Sequence, residues 1–213
     1  MPKKKIAFVT GGYSTEAQVS YKSAETIQAN IDTERYDLFT IDIRKDGWWH
    51  TTKDGNRVQV EKNDFSITID GKRVLFDAVL IGIHGTPGED GKLQGYFDML
   101  GLPYTTCDAT TSALTFNKRF TVAVAAFSGI AVSRSIHLFK GDPIDTGEIV
   151  TQLQFPLFVK PANGGSSIGM SKVPDAAGLS DAIEKAFSED DQILIEEFIE
   201  GREFTVGVCR ING

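Results

Sequence analysis

Residues 155–173, FPLFVKPANGGSSIGMSKV, constrain this chain more than any other stretch. Pro156-Leu157-Phe158-Val159 is a short apolar run with β-branched and aromatic character, which reads as a buried strand. Lys160 closes it, because Pro161 has no N–H and biases the residue before it away from the α region. In Asn163-Gly164-Gly165-Ser166-Ser167 two glycines are free to take positive φ and the serines add hydroxyl donors. The chain then returns as a second strand. Two readings stay open: a glycine-rich hairpin turn with a lysine for solubility, or a loop whose converging N–H groups and nearby ammonium hold a phosphate. The helix-opening phosphate loop is excluded, since Gly-x-x-x-x-Gly-Lys-Ser/Thr is absent and the lysine precedes the glycines.

With 213 residues, 41% of them hydrophobic, the chain can bury a substantial core as one large domain or two small ones. A formal charge of −7 gives no basic field, so nucleic acid is not an expected partner. The basic start (Lys3, Lys4, Lys5) leads into an apolar run too short for a signal peptide. No stretch reaches the roughly eighteen apolar residues that span a bilayer, so a cytoplasmic protein without membrane insertion is expected. Cys107 and Cys209 form neither a disulfide framework nor a zinc pattern and are expected as core thiols.

Residues 6–10 form an apolar strand running into Gly11-Gly12, as the first strand of a doubly wound sheet does at a ligand-facing loop. Ser14 is a candidate N-cap, with Val19, Ala24, Ile27 and Ile31 as the apolar stripe of the helix that follows. Glu16 then falls in the first turn, either as helix-start chemistry or as a ligand contact at the sheet's rim. A second strand covers residues 36–43, and residues 58–60 and 65–69 suggest a small antiparallel addition with a hairpin at Asp70-Gly71. Trp48, Trp49 and His50 read as packing over a sheet edge. Residues 77–83 form another buried strand, which ends at His84. Glu89 and Asp90 read as caps for the helix carrying Leu93, Tyr96, Phe97 and Leu100. Residues 101–105 suggest a short strand, and residues 108–129 a helical pair with Lys118 in its middle. Residues 130–132 and 135–139 look like one strand feeding a sheet. A short helix lies within 141–151, another spans 174–188 with Ala177, Leu179, Ile183 and Phe187 packed, and Ile193-Leu194-Ile195 is the last buried strand.

Four stretches taken in order, GGYSTEAQVS (11–20), HGTPGEDGKLQG (84–95), VKPANGGSSIGMSKV (159–173) and LIEEFIEGREFTV (194–206), resemble the D-alanine–D-alanine ligase family of ATP-grasp enzymes from Ile6 to Val208. The resemblance implies an α/β fold: a doubly wound, mainly parallel N-terminal sheet over residues 1–106 as the pre-ATP-grasp substrate domain. A small α+β ATP-grasp subdomain over 107–195 follows, and residues 196–213 form the hinge and start of a truncated third domain. It implies an ATP-dependent ligase joining two D-alanines through an acylphosphate for peptidoglycan synthesis, cell wall biogenesis and cell shape, working as a homodimer.

By the same resemblance Glu16, His84 and Ser166 serve the first D-alanine, with Glu16 and Ser166 hydrogen-bonded to each other. Lys118, Lys160, Gly165, Ser166 and Ser167 hold the ATP phosphates. Glu196 takes the adenine amino group, Glu197, Phe198 and Ile199 the hinge, and Glu203 the ribose hydroxyls. The Mg2+ or Mn2+ ligands of the family lie beyond this chain, so no carboxylate here is assigned to metal. Two alternatives stand beside this reading: a non-catalytic nucleotide- or amino-acid-binding remnant, and an ATP-grasp ligase with D-lactate or D-serine as acceptor.

Overall fold

The structure, a computed structural model, describes residues 2–208. Strand β1 (Lys4–Gly11), helix α1 (Ala17–Asn30) and β2 (Tyr36–Arg44) form a crossover unit in which the two strands run parallel, from Lys4 opposite Tyr36 to Gly11 opposite Ile43. β3 (Gly47–Thr51) and β4 (Arg57–Gln59) continue the sheet antiparallel beyond β2. β5 (Ile67–Ile69) and β6 (Lys72–Val74) form a separate two-stranded ribbon whose turn residues Asp70 and Gly71 take φ of 49° and 71°, the conformation the Asp-Gly pair favours. β7 (Ala78–Ile81) flanks β1 on its other side, giving the order β4-β3-β2-β1-β7. The sheet is therefore parallel from β2 through β1 to β7 and antiparallel at the β3–β4 edge. β1 carries Ala7, Phe8 and Val9, all fully buried, as a central strand covered on both faces must.

After α2 (Lys92–Leu100), Tyr104 adds one parallel bridge to Val79. α3 (Ala109–Phe116) and α4 (Lys118–Phe127) follow, each opened by a side-chain cap: Asp108 accepts from the Thr111 N–H at 2.7 Å and Asn117 from the Phe120 N–H at 3.2 Å. The second sheet is antiparallel throughout, with the order β10-β9-β11-β8. It contains β8 (Ser135–Phe139), β9 (Leu157–Pro161), β10 (Ser171–Val173) and β11 (Gln192–Glu197), with α5 (Thr146–Gln152) before β9 and α6 (Leu179–Phe187) packed on it. Two hydrophobic cores result, one built around Val9, Ile41, Phe65 and Phe97, the other around Val159, Ile183, Ile193 and Ile195.

Several expectations change. β9 runs through Lys160 to Pro161 instead of closing at the lysine. Backbone N–H groups alternate sides along a strand, and Ala162 N donates to the Gln192 carbonyl on the β11 side at 2.8 Å. The Pro161 nitrogen thus faces β10, whose pairing begins only at Val159, and no ladder bond is lost. Residues 130–132 lie outside β8, and Ala177 is exposed in a short 3-10 turn ahead of α6. α1 buries Ser20 and Ala24 rather than its larger apolar residues. Trp48 sits in the first core, its indole N–H donating to Tyr13 Oη at 2.8 Å, while His50 is held to the Thr40 carbonyl at 2.9 Å. Cys107 is exposed, contrary to the expected core thiol, because it precedes the α3 cap on the surface. Cys209 lies outside the described residues.

Candidate functional site

β1 ends at Gly11, and Gly12 follows with φ of 123°; the chain then turns through Ser14, whose Oγ accepts from the Glu16 N–H at 3.3 Å. Glu16 occupies the residue before α1, not its first turn, and its side chain does not cap the helix. The carboxylate instead crosses to the second lobe. Oε2 accepts from the Gly165 N–H at 3.2 Å and Oε1 from Ser166 Oγ at 3.1 Å. Glu16 is only 3% exposed, and two glycines make room for it. A Cβ on Gly85 would stand 2.6 Å from Oε2, and one on Gly165 would stand 2.9 Å from Oε1. One hairpin N–H and one serine hydroxyl do meet an anion, and that anion is the protein's own carboxylate.

His84 closes the strand-end rim differently from the sequence expectation. Its N–H donates to Ser20 Oγ at 2.9 Å and its Nε2 lies 3.0 Å from Ser23 Oγ, so the ring is engaged with α1 and lines neither cavity of the cleft. Glu89 and Asp90 do not simply cap α2: Glu89 accepts from the Gly85 N–H at 2.6 Å and Asp90 from Thr86 Oγ1 at 2.5 Å. Both fasten the loop that packs against Glu16.

In the second lobe the hairpin turn takes a conformation that glycine spacing did not reveal. Gly164 has φ of 95° and Gly169 of 73°, but between them the left-handed residues are Ser166 (52°) and Ser167 (56°), not Gly165. Each left-handed non-glycine costs on the order of 1 kcal/mol or more. Gly165 is glycine for a different reason, the close approach of Glu16. Lys118, the first residue of α4, donates from its backbone to the Ala162 carbonyl at 2.8 Å and from Nζ to the Gly164 carbonyl at 2.6 Å. Burial lowers the pKa of Lys118, and the Lys160 charge lowers it further against the opposing pull of Asp190, Glu16 and Glu196. Lys160 makes an ion pair with Glu196 diagonally across the β9–β11 ladder, where Leu194 is its direct partner.

Two cavities flank the loop. One of about 260 Å³ is lined by Lys118, Lys160, Ser166 and Ser167, the other, of about 410 Å³, by Glu16, Thr86, Asn117 and Gly164 among others. At the end of β11, Glu197 accepts from the Gln154 N–H at 2.9 Å, and Phe198 donates its N–H to the Pro156 carbonyl at 2.9 Å. The Phe198 N–H is thereby satisfied within the protein. Its ring meets Phe158 at 5.6 Å, with Lys172 Nζ 3.6 Å from the ring centre. Ile199 and Glu203 are exposed beyond the strand. Glu16, Ser166, Ser167, Gly165, Lys118, Lys160 and Glu196 are thus gathered at one cleft, while His84 stands behind its rim. Among the described residues no three His, Cys, Asp or Glu side chains converge to hold a metal. Sequence reasoning missed Asn163 and Asp190, whose bonds tie the hairpin to α4. Only the N-cap at Asn117 had a local signal.

Comparison with known proteins places this geometry. Family models described as D-ala D-ala ligase N-terminus and D-ala D-ala ligase C-terminus match residues 5–107 and 117–213. The D-alanine–D-alanine ligase of Parabacteroides distasonis is 46% identical over 211 residues, spanning 99% of this chain and 64% of that protein. Among solved structures, D-alanyl-alanine synthetase A from Vibrio cholerae superposes with a TM-score of 0.82 at 30% identity, covering 94% of this chain and 60% of that one. The VanG D-Ala:D-Ser ligase from Enterococcus faecalis gives 0.79 at 33% identity, covering 94% and 64%. The chain therefore spans just under two thirds of the length of these relatives, 60% to 64%.

Proposed function

The chain belongs to the D-alanine–D-alanine ligase family, and from that premise we propose that the protein it forms joins two D-alanines at the expense of ATP. The observation that carries this reading is the carboxylate of Glu16, which crosses from one lobe to the serine-bearing loop of the other beside a cavity holding two lysines. A carboxylate oxygen of the first D-alanine attacks the γ-phosphorus of ATP, and ADP leaves. The amino group of the second D-alanine then attacks the acyl carbon, and phosphate leaves with the carboxylate oxygen it had captured. Such transfer needs positioning and charge neutralisation more than covalent help from the protein.

Residues 1–106 bind the first D-alanine. Glu16 meets its ammonium, Ser166 orients Glu16, and His84 supports the rim. In residues 107–195, Lys118, Lys160 and the loop of Gly165, Ser166 and Ser167 neutralise the phosphates. Two ammonium groups in a partly buried cavity of about 260 Å³ fit a polyanion well. Residues 196–213 carry the adenine side through Glu196, Glu197, Phe198, Ile199 and Glu203. Mg2+ or Mn2+ accompanies ATP in this reading, but the described residues offer no ligand set for it, and no step is derived through it. The product serves peptidoglycan synthesis in the cytoplasm, and hence cell wall biogenesis and cell shape. The protein works as a homodimer through its first lobe.

The test is product analysis by mass spectrometry on the whole protein supplied with ATP and D-alanine, alone or with D-serine or D-lactate. D-alanyl-D-alanine with one ADP and one phosphate per dipeptide is expected. A preference for D-serine over D-alanine as acceptor would move the assignment to the mixed-ligase class that the VanG likeness represents. ATP consumption without any ligated product would sink it.

A further inference from the structure

A chain of polar contacts behind the phosphate cavity serves no role in the reading above. Asp190 follows α6, and its Oδ2 accepts two bonds from Asn163, from the backbone N–H at 2.7 Å and from Nδ2 at 2.9 Å; Oδ1 accepts from the Gln192 N–H at 3.3 Å. Asn163 Oδ1 in turn accepts from Asn117 Nδ2 at 3.0 Å, and Asn117 Oδ1 caps the α4 N-terminus through Phe120. Lys118 is the next residue. Asn117 is only 6% exposed, so its amide has few alternatives to these partners. One acidic side chain thereby fixes three elements at once: the start of β11, the first residue of the glycine-rich turn, and the helix terminus from which Lys118 projects.

We infer that Asp190, acting through Asn163 and Asn117, is a positioning residue that sets where the Lys118 ammonium stands in the phosphate cavity. This rests on the proposal that Lys118 contacts ATP phosphates. The physical argument is one of leverage. The Lys118 side chain is long and flexible, and a point charge stabilises a phosphate only where its stem is anchored. Its backbone is anchored to Ala162 and its Nζ to Gly164, and residue 163 between these two carbonyls is the one Asp190 grips twice. Asp190 also acts through charge. The groups bearing on the Lys118 ammonium are Lys160 on β9, Asp190 before β11, Glu16 at the start of α1 and Glu196 on β11. Of the three acids, Asp190 does most to keep Lys118 protonated against burial and Lys160.

The experiment measures ATP affinity by calorimetry on the whole protein without D-alanine, at neutral and alkaline pH. Asp190→Asn is expected to weaken ATP about tenfold, the scale of one charged hydrogen bond, and to move the alkaline loss of affinity to lower pH, because the ammonium loses its strongest counter-charge. Asn163→Ala is expected to weaken ATP to a similar degree, about tenfold, with no move of the alkaline limb, because the Asp190 charge remains. Asp191→Asn removes the same charge one residue along from a side chain that is 87% exposed and meets only Lys140 at 3.8 Å, and is expected to behave as wild type. If Asp190→Asn matches Asp191→Asn in both affinity and pH profile, the inference is overturned. Should Asp190→Asn fail to fold, Asn163→Ala decides, and wild-type affinity there overturns it. A Lys118→Ala protein that binds ATP like wild type would instead defeat the underlying phosphate assignment.

Discussion

The two walls of the cleft hold their charges by different means. On the first lobe Glu16 is buried to 3% exposure and hemmed in by backbone, with Gly85 beside one oxygen. On the second lobe Lys118 and Lys160 are only partly buried and rest on polar partners, the Gly164 carbonyl and Glu196. Contact repulsion rises steeply with any approach, so Glu16 cannot shift toward Gly85 without moving the loop that follows β7. A hydrogen bond held by an ammonium contributes only about 1.5–3 kcal/mol net, and a phosphate oxygen can replace the partner it gives up. The first wall is thus a fixed reference for the substrate, and the second can release its lysines to an incoming phosphate.

That contrast is most severely tested at Lys160. Lys160→Ala is expected to lower D-alanine-dependent phosphate release roughly a thousandfold while circular dichroism stays native, since the lysine neutralises transferred charge and lies outside both hydrophobic cores. Release at the wild-type rate would break the second half of the comparison. Gly85→Ala probes the first half through stability. Its φ is 75°, and the new Cβ would sit 2.5 Å from Ser14 Oγ and 2.6 Å from Glu16 Oε2, so a loss of about 2–3 kcal/mol in urea unfolding is expected. Gly71→Ala, with a φ of 71° but nothing within 4 Å, isolates the backbone part and should lose only about 1 kcal/mol. Equal losses would show that Glu16 is not wedged. A milder loss of activity than at Lys160 is expected from Ser166→Ala, which deletes the 3.1 Å bond to Glu16 but leaves the Gly165 N–H in place. kcat/KM for D-alanine should fall about tenfold, with a smaller loss of ATP affinity because the Ser166 hydroxyl also faces the lysine cavity.

Much of the fold was legible because it is decided within a few residues. The apolar runs that became β1, β7, β9 and β11, the Asp70-Gly71 turn and the helical pair after Asp108 follow from side-chain period and turn chemistry alone. The motif stretches supplied the candidate residues, and most of those converge on one cleft. His84 and Phe198 were less predictable. A strand-end histidine can face the ligand or the next helix, and which it does depends on Ser20 and Ser23 one lobe face away. The Phe198 N–H was consumed by Pro156, a pairing set by how β9 and β11 align. Asp190 had no local signature at all.

Local sequence by itself determined where most strands and helices lie, though not the bounds of β8 and β9, and which side chains could carry charge to a site. Tertiary structure decided that Glu16 meets a loop about 150 positions away, that the serines rather than both glycines adopt left-handed backbone, and that Asp190 grips Asn163. The division has a physical cause. Caps, turns and periodicity are settled by groups within about four residues of each other, whereas the backbone angles of a flexible loop are set by whatever packs against it.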